Sequence, residues 1–136
     1  MTKTVPYVLL GGEEGVRILC RTFYRIMDEA PEARDIRAMH KPDLKPMEDK
    51  LFDYLSAWLG GPPLYREKTG GMCITAPHRP YAIGEKERDQ WLMCMGRALE
   101  EIGASQDVKD MLKMPLFRVA DMLRNKPERA DSLAPR

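Results

Sequence analysis

Residues 13–29 read EEGVRILCRTFYRIMDE, and their spacing decides the fold class. Val16, Leu19, Cys20, Phe23, Tyr24 and Met27 recur at three- and four-residue steps, which places them on one apolar helix face. Glu13 and Glu14 sit at the start, where a helix carries partial positive charge. Outward from this helix the pattern repeats. Residues 45–59 put Met47, Leu51, Tyr54, Leu55, Trp58 and Leu59 on one side, and Gly60-Gly61-Pro62-Pro63 stops them, since glycine permits the turn and proline cannot extend it. A third helix is expected over 85–102, with Trp91, Leu92, Met95, Ala98, Leu99 and Ile102 facing inward and Gly103 ending it. A fourth is expected over 107–124, using Val108, Met111, Leu112, Val119, Met122 and Leu123. Pro115 falls inside it without a backbone N–H, so a kink or a break into two pieces is expected. Shorter helical turns fit residues 5–10 and 33–39. No alternating strand pattern competes, and the class is all-α.

The chain has 136 residues, enough for one domain with a core and too few for two. A single domain is expected over 1–136, with its core at about 5–124 and a polar, proline-bearing tail at 125–136 expected to be disordered. The net charge of +1 supplies no bulk field for nucleic acid or an anionic membrane. No apolar stretch approaches the roughly 20 residues that span a bilayer. The N-terminal apolar run is short and ends in Gly11-Gly12, a poor signal peptide, which gives a cytoplasmic expectation. Three widely spaced cysteines, Cys20, Cys73 and Cys94, suggest no disulfide framework. Cys20 and Cys94 read as inert core thiols and Cys73 as a candidate reactive one. Any chemistry that needs an imidazole must use His40 or His78, the two histidines present.

Residues 61–83, GPPLYREKTGGMCITAPHRPYAI, break the helical pattern with four prolines and three glycines. Composition makes this a loop, and a long loop inside a compact helical domain is more often functional than not. His78 lies in it between Pro77 and Pro80. Taken alone, His78 reads as a solvated loop residue. Cys73 and His78 together make a poor zinc site, since two further ligands at suitable spacing are missing.

Several of these pieces, in this order, resemble a known family. Phe23-Tyr24, then Ile36-Arg37-Ala38-Met39-His40, then Trp58-Leu59-Gly60-Gly61-Pro62-Pro63-Leu64-Tyr65, then His78, and then Glu87-Arg88-Asp89-Gln90-Trp91-Leu92-Met93-Cys94-Met95 are similar to group II truncated haemoglobins. The likeness covers roughly residues 5–124. It implies a truncated globin, a two-over-two helical sandwich enclosing haem, with 13–29 and 45–59 as one pair and 85–102 and 107–124 as the other. It also implies a largely unstructured stretch before the haem-ligating histidine.

In that resemblance His78 is the proximal ligand and the metal-binding residue of one b-type haem. An imidazole that binds iron through one nitrogen needs an acceptor for the other, and the carbonyl of Ile74 is the expected one. The absence of a Cys-x-x-Cys-His motif argues against covalent attachment. Tyr24, Trp91 and His40 match the three polar positions around the bound ligand. Donors aimed at a ligand that takes on partial negative charge hold it in place. Read without the family, Tyr24 and Trp91 are ordinary core residues. His40 has three open roles: facing the ligand, binding iron at an empty sixth position, or sitting in solvent. Met47 and Leu51 match positions on the distal side. Met47 is a candidate gate, a lesser candidate sixth ligand, or simply core. Lys50 and Tyr65 match positions that serve the haem propionates. The residue before the proximal histidine, commonly basic in the family, is Pro77 here, which leaves that anchoring to Arg79 or Arg66.

Three functions follow as expectations. The first is binding of O2, CO and NO, with a diatomic gas as partner. The second is turnover as a nitric oxide dioxygenase or weak peroxidase, which needs an external reductase because no flavin or nicotinamide fingerprint is present. The third is a haem-free helical interaction module. No side chain is assigned a catalytic role, and the oligomeric state stays open.

Overall fold

A computed structural model of the chain describes residues 5–71 and 73–126; the expected disordered tail falls outside it from residue 127 onward. In chain order the elements are α1 (Pro6–Leu9), α2 (Gly12–Glu29), a 3-10 turn (Pro31–Ala33), α3 (Arg34–Ala38), α4 (Lys45–Trp58), α5 (Leu64–Thr69), α6 (Thr75–His78), α7 (Glu85–Glu101) and α8 (Gln106–Met122). The four long helices sit within two residues of the spans that periodicity predicts. Among the described residues there is no strand, and no helix is long and apolar enough to cross a membrane.

Helix α2 is the centre of the packing. It lies against α7 and α4, while α7 packs on α8 and α4 on α5, which stacks two helix pairs into two layers. Val16, Leu19, Cys20, Phe23 and Met27 of α2 are at most 2% exposed, so its predicted face is the core face. Helix α8 starts at Ser105, whose hydroxyl accepts from the Val108 N–H at 3.2 Å. Glu87 plays the matching part at α7, accepting the Gly84 N–H at 2.8 Å.

Three expectations are corrected. Of the kink or break expected at Pro115, the break does not occur, since helix α8 is continuous through it. Val108, Leu112, Leu116 and Ala120 are buried along one side of it, and that burial outweighs one missing backbone bond. Met111 and Met122, read from periodicity as inward, are instead exposed at 45% and 54%. The third correction concerns residues 61–83, which hold two short helices where composition gave only loop. Gly70 closes α5 in the left-handed region (φ +85°), its N–H on the Arg66 carbonyl at 2.7 Å. Pro77 fits α6 because it falls in the first turn, whose N–H groups have no partner within the helix. His78 therefore ends a helix and does not lie in open loop.

The α1–α2 corner is tight. Tyr7 donates its backbone N–H to the Leu59 carbonyl at 3.0 Å, and a Cβ added at Gly15 would overlap the Leu10 carbonyl oxygen. Gly15→Ala is expected to destabilise the chain by about 1–3 kcal/mol through this overlap. Gly96→Ala on α7, with nothing within 4 Å of the new methyl, is expected to stabilise by roughly 0.5–1 kcal/mol. Urea midpoints of the two variants should move in opposite directions; equal shifts would contradict the assigned close contact.

Candidate functional site

The short helix α6 presents His78 at its end, half-buried, with Nδ1 2.5 Å from the Ile74 carbonyl oxygen. A carbonyl only accepts, so Nδ1 carries a proton, and in the neutral ring the lone pair then falls on Nε2. The acceptor is the one expected from the sequence. Ile74 is itself buried, which ties the carbonyl, and through it the ring, to the packed core.

Across the helix layers a second group converges. The Phe23 ring stacks edge-on against Tyr24 at 4.8 Å and tilts against Trp91 at 5.2 Å, and Tyr24 meets the His40 ring edge-on at 5.9 Å. Helix α2, the turn after α3 and helix α7 thus deliver Tyr24, His40 and Trp91 to one place. Burial, with Cys20 and Glu48 nearby, holds the Tyr24 phenol well above its ordinary pKa, so its hydroxyl stays a donor. Among the described residues, no side-chain or backbone group accepts a hydrogen bond from the Tyr24 hydroxyl or the Trp91 indole N–H. A groove of about 330 Å³, lined by Arg21, Arg25, Leu44, Lys45 and Glu48, reaches Tyr24 from the surface.

His40 is held in the same manner as His78, with Nδ1 2.8 Å from the carbonyl of the residue four positions earlier, Ile36. Burial lowers its pKa, the Ile36 bond opposes this, and the charges of Arg37 and His78 lower it further. At neutral pH it is therefore a neutral ring with Nδ1–H committed to Ile36 and a lone pair on Nε2. In that state it accepts or ligates but does not donate. Gln90 braces this arrangement, accepting the Ile36 N–H at 3.0 Å and donating to Asp35 at 2.8 Å. Sequence reading gave Gln90 no role, although it stands in the quoted stretch one residue before Trp91.

The other candidates are spread around this centre. Met47 and Leu51 on α4 are partly buried apolar residues packed against the core. Lys50, Arg66 and Arg79 are exposed. Tyr65 donates its hydroxyl to the Cys73 carbonyl at 3.2 Å, so its single proton is engaged, and a propionate role for it requires that bond to be released. Cys73 is exposed, and the N–H groups of Ala76 and Thr75, with the Arg79 charge, lower its thiol pKa. Burial pushes Cys20 up to about 12 and Cys94 to about 11, which keeps both as inert thiols.

The donor set fits a haem. Among the described residues no group of three or more His, Cys, Asp or Glu could hold a metal ion. A metal on His78 therefore finds fewer than three such side chains in the described protein and needs further ligands from elsewhere, as a macrocycle supplies. The oriented Nε2 of His78 and the unengaged donors of Tyr24 and Trp91 suit the two faces of such a group.

Comparison with known proteins agrees with this geometry. The family model described as bacterial-like globin matches residues 6–125. The group 2 truncated hemoglobin YjbI of Bacillus subtilis is 32% identical over 93% of this chain and 92% of its own. Among solved structures, the group II 2-on-2 hemoglobin of Agrobacterium tumefaciens superposes with a TM-score of 0.88 at 38% identity, covering 93% of this chain and 98% of that one. A truncated oxygen-avid haemoglobin from Bacillus subtilis gives 0.79 at 32% identity, covering 90% and 100%. The chain belongs to the bacterial-like globins, as a group II truncated haemoglobin with the two-over-two fold.

Proposed function

We propose that the chain binds O2, and with it CO and NO, through a b-type haem held by His78. Globin membership supports haem-based gas binding in general, and the oxygen-avid description of the Bacillus subtilis relative favours O2 as the principal ligand. The observation that carries the reading for this chain is the His78 Nδ1–Ile74 contact, which leaves Nε2 free and fixed in direction. When bound, the haem supplies an iron whose sixth position takes a diatomic ligand.

The chain's own residues then divide the work. Ile74 fixes the ring and tautomer of His78. Tyr24 and Trp91 each aim a donor at the partial negative charge of the ligand, each contributing about 1.5–3 kcal/mol. Phe23 sets the angle between those two by touching both rings. Neutral His40 adds no donor, but protonation would give its Nε2 a hydrogen to offer. Leu51 and Met47 keep water off the distal side, and Lys50 with Arg79 is available to the propionates. In this reading binding is the activity, and turnover is not.

Tyr24→Phe and Trp91→Phe are each expected to raise the O2 dissociation rate by roughly tenfold or more, read by stopped flow. Unaltered rates in both variants would remove the donor assignment. The His40 ring is neutral at pH 7 because its pKa is lowered, so O2 release should slow only as the solution becomes acidic, and His40→Leu should abolish that dependence. A pH profile shared by both proteins would clear His40 of the role. Nitric oxide supplied with an electron donor should be bound without sustained consumption; continued turnover would make the protein an enzyme.

A further inference from the structure

Between Ile74 and Ile83, both buried, the segment carrying His78 has no buried side chain at all. Pro77 and Pro80 also withhold two backbone donors. Ile74 and Ile83 anchor the segment by packing at its two ends, and polar contacts hold the stretch between them. The interactions that do so come from beyond the end of α8, at a residue that composition assigns to the tail.

Asn125 uses both ends of its amide on this segment. Its Oδ1 accepts the Ile83 N–H at 2.8 Å, and its Nδ2 donates to the Tyr81 carbonyl at 2.6 Å and the His78 carbonyl at 3.3 Å. The backbone N–H groups of Asn125 and Lys126 add bonds of 2.9 and 3.1 Å to the Ile83 carbonyl. The amide's orientation follows from its partners, because a flip would set oxygen against two carbonyls and N–H against N–H. Asn125 also stands on a fixed base. Asp121, one turn earlier, is gripped by Arg88 of α7 at 2.8 Å and by Arg124 at 3.1 Å.

We propose that Asn125 is the positioning residue for His78, holding its backbone at the height at which Nε2 meets the iron. The proposal rests on the reading of His78 as the iron ligand. Ile74 sets the rotation of the ring, and Asn125 sets where the ring stands. Without the amide's two donors the His78–Tyr81 backbone keeps only local bonds, the Tyr81 N–H on the His78 carbonyl at 3.0 Å and the Arg79 N–H on the Ala76 carbonyl at 3.2 Å.

The test uses the haem-loaded ferrous protein. Asn125→Asp keeps the shape and removes both donors, and Asn125→Ala removes the whole amide. Both are expected to release haem to an excess of an apoprotein acceptor about tenfold faster or more, in the range typical of lost outer-shell support. Both should also shift or broaden the iron–histidine stretching band in resonance Raman spectra, which a general loss of stability in an otherwise intact site would not do. His78→Ala is measured alongside and should lose that band entirely. Wild-type band position and haem release in both Asn125 variants, with the band lost in His78→Ala, would overturn the role of Asn125 and leave the ligand assignment standing. A band that survives in His78→Ala would overturn both.

Discussion

A single contact, the His78 Nδ1–H on the Ile74 carbonyl, organises the site. An imidazole can serve a metal only if one nitrogen is bare and pointed, and a ring free to rotate or change tautomer offers neither. The contact settles both, and it does so within one turn of helix, from a carbonyl whose own side chain is buried. The rest of the structure supplies what that contact needs. Helix α6 forms although composition argues for a loop, and its turn brings the His78 ring onto the carbonyl four residues earlier. The exposed stretch that follows must then be held, and the end of α8 reaches it.

The distal side is built on a different principle. There the geometry of Tyr24 and Trp91 comes from burial, not from hydrogen bonds. Phe23 is fully buried on α2 and touches both Tyr24 and Trp91, so two donors from different helices are set by one apolar ring between them. Their polar tips make no hydrogen bond among the described residues, and neither is a buried orphan, so both remain open to a partner. His40 repeats the device of His78, a ring tied by Nδ1 to the carbonyl four residues back. The two histidines of the chain are thus both held through Nδ1, with Nε2 left without a partner among the described residues.

How much of this was legible in the sequence depends on what carried the information. The long helices were, because Val16, Leu19, Cys20, Phe23 and Met27 repeat on one face and burial follows periodicity directly. The Ile74 acceptor was expected only once the resemblance made His78 a ligand, since a ligating imidazole needs an acceptor for its other nitrogen. Periodicity failed at Met111 and Met122, where an apolar residue stands at the edge of the buried stripe and a methionine is tolerated in water. Composition failed at α5, at α6 and at Asn125, because proline and polar residues describe a tail or loop equally well whether or not a tertiary partner captures it. The Tyr65–Cys73 bond is likewise a contact that neither propensity nor spacing encodes.

The most direct test of the account is the visible absorption spectrum of the purified protein, taken ferric, then reduced, then under carbon monoxide. The account predicts a haem Soret band that moves sharply when carbon monoxide is added to the reduced form, as an accessible iron on a histidine requires. A protein that stays featureless after haem is supplied, or whose reduced band ignores carbon monoxide, would contradict it.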